Sequence, residues 1–132
     1  MFGKKNASVT QAKIDSLIGA GTLIEGRVCF NGGLRIDGEV RGSVEAVTAA
    51  SSSMLVISDQ ASVEGGVSVA HLILNGTIIG PVHATGSLEM QSRARIVGDV
   101  TYAAIEMHQG AVIDGRLVYL QEQGVEPNPS IE

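Results

Sequence analysis

Apolar residues return every six positions along most of this chain. Ile24, Phe30 and Ile36 are six apart, as are Val28, Leu34 and Val40, and so is the series Leu72, Ile78, Ala84, Met90 and Ile96. Six is even, so these residues share one face of an alternating strand, whereas a helix of 3.6 residues per turn would scatter them around its axis. The spacing predicts strands, and the abundance of β-branched residues agrees with it.

A second regularity lies over the first. The phrase apolar–any–Gly–any–apolar occurs as IEGRV (24–28), IDGEV (36–40), VEGGV (63–67), LNGTI (74–78), IVGDV (96–100) and IDGRL (113–117). The six-residue step slips regularly. Val40, Ile57 and Leu74 are 17 apart, as are Val44, Ala61 and Ile78, Met90 and Met107, Ile96 and Ile113, and Val100 and Leu117. Leu72 and Leu88 are 16 apart. A unit of 16–17 residues divides into two arms of six and one of about five, which is one turn of a triangular β-solenoid. The segment from 17 to 120 then holds about six turns, stacked about 4.8 Å apart. The expected core is Val28, Leu34, Ile36, Val40, Ile57, Val63, Ile78, Leu88, Ile96, Val100, Ile105 and Ile113. TAASSS (48–53) interrupts the ladder and is expected to bulge as a wider corner.

Composition fits a narrow aliphatic core. Of 132 residues, 17 are Gly, aromatics amount to 3% and Trp is absent. That disfavours an aromatic-anchored sandwich and a stacking platform for single-stranded nucleic acid. The glycines do not recur every third residue, which excludes collagen. A single cysteine, Cys29, excludes an internal disulfide framework and a CxxC metal knuckle. No apolar run approaches the length of a membrane span, and the first residues lack the apolar stretch of a signal peptide, so a cytoplasmic location is expected. The lysines, Lys4, Lys5 and Lys13, lie in the first 13 residues, which hold no acid, while the remaining 119 residues carry six Arg against 14 acids. An acidic body argues against nucleic acid as a partner, and a short basic head points to a local anionic contact.

The chain thus divides into a flexible head (1–16), a solenoid (17–120) and a polar tail, QEQGVEPNPSIE (121–132), expected to be disordered. A solenoid pairs each inner turn above and below, but its first and last turns lack one partner. The last turn runs through Leu117, Val118, Tyr119 and Leu120 into the tail, and the first starts at Leu17 and Ile18. No amphipathic capping helix is legible beside either. The alternative is that the tails fold back as caps; apolar open ends are expected instead to stack on one another, through Leu17, Ile18, Leu23 and Ile24 at one end and Leu117, Val118 and Leu120 at the other.

A head of MF plus lysines, then DSLIGAGTLIEGRVCFNGGLRIDGEVRGSV, then Gly-rich hexads and a Pro-containing tail, resembles the bactofilins, bacterial cytoskeletal proteins. IGAGTLIEG and LRIDGEVRG carry most of the resemblance, which spans essentially the whole chain. It implies a right-handed triangular parallel β-helix that polymerises end to end with itself, without nucleotide, into filaments lacking polarity. It implies peripheral attachment to the cytoplasmic face of the inner membrane and scaffolding of cell-wall or morphogenesis proteins. The head residues Met1, Phe2, Lys4 and Lys5 are the candidate contacts with an anionic membrane: an apolar tip beside charges worth about 1 kcal/mol each. No cofactor is expected. The chain has no GxxxxGK[ST] loop, and GAGTLIEG lies among strand repeats rather than before a helix.

The rival reading is a trimeric β-helical enzyme, either a hexapeptide-repeat acyltransferase with a histidine base or a zinc carbonic anhydrase. Its candidates are His71, His83 and His108. Each neighbours an inward residue, so alternation points all three outward, and their spacing does not bring them to one face. Glu25, Asp37, Glu64, Asp99 and Asp114 read as a solvated acidic surface, without the GGxGxD rhythm of calcium-binding repeats. Cys29, between Val28 and Phe30, is expected to point outward and to be incidental.

Overall fold

The alternation produces short strands, most of them three residues long with one or two inward positions before a corner. The computed structural model describes residues 14–47 and 53–120; the expectations for the head up to residue 13, for 48–52 and for the tail lie outside it. Turn one is β1 (Ser16–Ile18), β2 (Leu23–Glu25) and β3 (Val28–Phe30), and turn two is β4 (Gly33–Ile36), β5 (Glu39–Arg41) and β6 (Val44–Ala46). Turn three is β7 (Met54–Ile57), β8 (Ser62–Glu64) and the first half of β9 (Val67–Leu74). Turn four is the rest of β9, β10 (Thr77–Ile79) and the first half of β11 (Val82–Met90). Turn five is the rest of β11, β12 (Arg95–Val97) and β13 (Val100–Tyr102), and turn six is β14 (Ile105–Met107), β15 (Val112–Asp114) and β16 (Leu117–Tyr119).

All pairings are parallel, between equivalent arms of successive turns, and they give three faces. The second face is a separate six-stranded sheet, β2-β5-β8-β10-β12-β15. The first and third merge into one ten-stranded sheet because β9 and β11 bend around the corner between them. Inside, columns of equal side chains run along the axis. Ile24, Val40, Val63, Ile78, Ile96 and Ile113 form one, and Val28, Val44, Val67, Val82, Val100 and Leu117 another. Nine of the twelve expected core residues are buried; Val28, Ile105 and Ile113, in the first and last turns, are half-buried.

The register across 48–52 differs from the expected one. Val40 stacks on Val63, not on Ile57, and Val44 stacks on Val67, not on Ala61. That turn is 23 residues long on the second and third faces, while Ile57 and Leu74 do stack 17 apart. The excess over 17 is one six-residue arm. The inward phase survives such a slip, so alternation alone cannot detect it.

The Gly phrase marks corners. Gly26, Gly42, Gly65, Gly80, Gly98 and Gly115 all follow arms of the second face, one per turn. At Gly80, φ is +142° and an added Cβ would collide with the backbone carbonyl of Gly65 one turn below. Only glycine lets successive turns approach so closely there. Two of the six copies read from the sequence, around Gly38 and Gly76, belong instead to the preceding corner. VRGSV (40–44) and IIGPV (78–82) complete the set.

Candidate assembly interface

The last turn is built like the others but paired on one side. β14, β15 and β16 hydrogen-bond to β11, β12 and β13, and among the described residues no strand pairs with their outer edges. The columns continue into this turn: Ile105 follows Leu88, Met107 follows Met90, Ile113 follows Ile96, Leu117 follows Val100 and Tyr119 follows Tyr102. Leu88, Met90, Ile96 and Val100 are at most 1% exposed, yet Met107 is 43%, Leu117 50% and Tyr119 60% exposed. The Tyr119 ring meets that of Tyr102 edge-on at 5.9 Å.

The first turn is better covered. Ile18 and Phe30 are 8% and 6% exposed, and Ile24 and Val28 are half-buried. Asp15 ties the entry of the chain to turn two: its N–H donates to the Gly33 carbonyl at 2.9 Å, and its Oδ2 accepts from the Gly33 N–H at 3.0 Å. Gly26, at the corner of turn one, would meet nothing within 4 Å if it carried a Cβ.

Of the residues expected at the ends, Ile18, Ile24 and Leu117 stand in the inward columns. Leu17, Leu23 and Val118 stand in outward columns, level with Arg35, Glu39 and Thr101, and are exposed on the lateral faces. Leu120 lies just beyond β16, half-buried, with its N–H donating to the Tyr102 carbonyl at 2.7 Å. Sequence reasoning missed Val28, Phe30, Ile105, Met107, Ile113 and Tyr119 as end residues. Their signal is phase: each lies one turn from a buried or half-buried position in the same column. Met1, Phe2, Lys4 and Lys5 lie outside the described residues.

The polar groups decorate the outside. His71 and His83 stand on different faces of turn four, with His71 Nδ1 2.9 Å from the Ser87 hydroxyl and His83 exposed. His108 is exposed beyond β14, its Nε2 3.1 Å from Glu106 Oε2 and 3.5 Å from Glu89 Oε2. Cys29 is exposed on β3. Arg27 is pushed above its usual range, first by the charge of Cys29 and then by Glu45, whose carboxylate it contacts at 3.1 Å. Glu25, Glu64 and Asp114 share one outward column of the second face, with Arg41 between the first two. Partial burial pushes the Asp37 carboxyl up, but hydrogen bonds from Arg35 and Ser58 and the Arg35 charge outweigh it and hold it below its usual value. Depressions between the arms, such as those beside Gly38, His83 and Glu106, measure 200 to 230 Å³, below the ~300–1,000 Å³ of small-molecule pockets. No helix among the described residues is long and apolar enough to cross a membrane.

The chain is 27% identical over 117 residues to the bactofilin BacP of Myxococcus xanthus (strain DK1622), covering 89% of this chain but spanning only 47% of BacP. It is 23% identical over 108 residues to BacO of the same strain, covering 82% of each. Among solved structures, the cytoskeletal bactofilin BacA, determined by solid-state NMR, superposes with a TM-score of 0.70 at 29% identity, covering 83% of this chain and all of the other. The family model for bactofilins, described as polymer-forming cytoskeletal, matches residues 16–118, from the first residue of β1 almost to the end of β16; this chain belongs to the bactofilin family.

Proposed function

We propose that this bactofilin polymerises end to end through its first and last turns into filaments that need no nucleotide. In this reading the filaments lack polarity, since like ends meet, and they scaffold cell-shape or cell-wall proteins at the cytoplasmic face of the inner membrane. The observation that supports it best is the last turn, where core columns run out into half-exposed Met107, Leu117 and Tyr119. Burying a side chain of this size is worth about 1.5–3 kcal/mol. A second turn of the same shape supplies that burial together with partners for the open backbone edge. Buried apolar columns fill the interior of the described turns, which supports a structural rather than a catalytic role.

Membrane attachment is assigned to Met1, Phe2, Lys4 and Lys5. One such head binds weakly, but a filament aligns many of them along one surface and multiplies their effect. Two experiments test the proposal. Electron microscopy of the purified chain without nucleotide should show filaments, and a chain that stays monomeric across concentration at physiological salt contradicts the polymer. Phe2→Ala, or Lys4 and Lys5 changed to Ser, should abolish sedimentation with anionic liposomes and leave filaments intact. Undiminished sedimentation would place the attachment elsewhere.

A further inference from the structure

We propose that Glu89, Glu106 and His108 form a binding site for a divalent transition-metal ion of the zinc class, one that clips the last turn to the turn before it. Glu89 and Glu106 are 17 residues apart and lie in direct register on β11 and β14, so the stacking of turns five and six brings their carboxylates side by side. Like charges in register on neighbouring strands repel. Among the described residues no Lys or Arg pairs with either; what stands between them is His108, with Nε2 at 3.1 Å from Glu106 Oε2 and 3.5 Å from Glu89 Oε2. The three ligand atoms lie within 4.8 Å of one another.

Those separations are close to the edges of a coordination tetrahedron. Bonds of about 2.0–2.2 Å from zinc to an imidazole nitrogen and carboxylate oxygens place neighbouring ligand atoms about 3.3–3.6 Å apart. The nitrogen–oxygen edge to Glu89, at 3.5 Å, already matches, and the edge to Glu106, at 3.1 Å, is slightly short of it. The carboxylates need only side-chain rotation to close the third, and Glu106 is exposed enough to rotate. The Gln91 amide donates to Glu89 Oε2 at 3.4 Å, a contact that orients this ligand from outside the site. One imidazole with two carboxylates favours zinc-like ions over magnesium or calcium, which take oxygen ligands.

The placement is local. In the same outward column, the earlier turns carry Leu17, Arg35, Val56 and Ile73, and none of these ligates a metal. An ion at this site therefore joins the one-sided last turn to turn five and leaves the rest of the solenoid untouched. It lies on a lateral face beside the open end, and assembly does not require it.

Equilibrium dialysis of the full chain against zinc chloride, read by elemental analysis, tests the site. Saturation at one zinc per chain is expected, with affinity weakened about tenfold or more by His108→Ala and by Glu106→Gln. His71→Ala and His83→Ala should bind as wild type does. Zinc should also slow amide hydrogen exchange in Ile105–Met107 more than in turns one to three, compared in the same assembly state. Absence of saturable zinc, or His108→Ala taking it up undiminished, overturns the proposal.

Discussion

Turns five and six carry nearly the same phrase, IVGDV and IDGRL, and their residues meet different fates. Ile96 and Val100 are sealed, whereas Ile113 is half-buried and Leu117 half-exposed, although each pair shares a column and a register. Burial here belongs to the neighbours rather than to the residue. A turn that keeps core chemistry where no described residue of its own chain covers it is chemically matched to another turn. The two ends differ as well: Ile18 and Phe30 of turn one are nearly buried, while Met107, Leu117 and Tyr119 of turn six are half-exposed.

The comparison predicts that one substitution should cost different amounts in different turns. The largest effect is expected at the glycine corner. Gly80→Ala places a methyl against the Gly65 carbonyl and holds alanine at φ +142°, so on the order of 4 kcal/mol is expected from strain plus overpacking. Gly26→Ala retains the unfavourable φ of +128° but meets nothing, and about 1–2 kcal/mol is expected. Denaturation midpoints measured in a non-assembling background would decide this, and equal shifts would show that contact between turns does not set the cost.

Ile78→Ala in turn four should cost about 2–5 kcal/mol, and Ile113→Ala about 1 kcal/mol in a chain kept from assembling, because its site is already half open. If both cost the same, the last turn is covered in solution. In assembled protein the gap between them should narrow.

The outer charges should matter least. Asp37→Asn should cost about 0.5 kcal/mol at neutral pH, the scale of an exposed pair with Arg35 at 2.9 Å. The Asp37 pKa is lowered in the folded state, so this increment is fully present above the ordinary Asp value of about 3.9. It is lost as pH falls through the folded value. A difference between Asp37→Asn and wild type that grows on acidification would contradict the assignment.

The solenoid was legible because six-residue alternation and a 16–17-residue unit are physical requirements of stacked arms. Ile36, Ile78 and Ile96 could be placed inside from spacing alone. The register across 48–52 was not legible, because a slip by one whole arm keeps every apolar residue inward: Val40 finds Val63 as readily as Ile57. The end residues were read as apolar stretches rather than by phase. Leu17, Leu23 and Val118 alternate out of the columns that hold Ile18, Ile24 and Leu117. Glu89 and Glu106 are hard to read from sequence because the cluster joins one histidine to carboxylates on two successive turns, not histidines to one another. The 17-residue spacing of that pair was the available signal.

If the end turns are the assembly surface, a charge placed in one of them must shorten the polymer. Sedimentation velocity of Leu117→Arg beside wild type, without nucleotide and over a range of concentration, tests it most directly. A guanidinium in a dry stack costs several kcal/mol, about enough to undo one end contact. Wild type should form polymer, and the folded variant only short species, with dimers joined through turn one as the longest. A folded Leu117→Arg that forms polymer as long as wild type would contradict this.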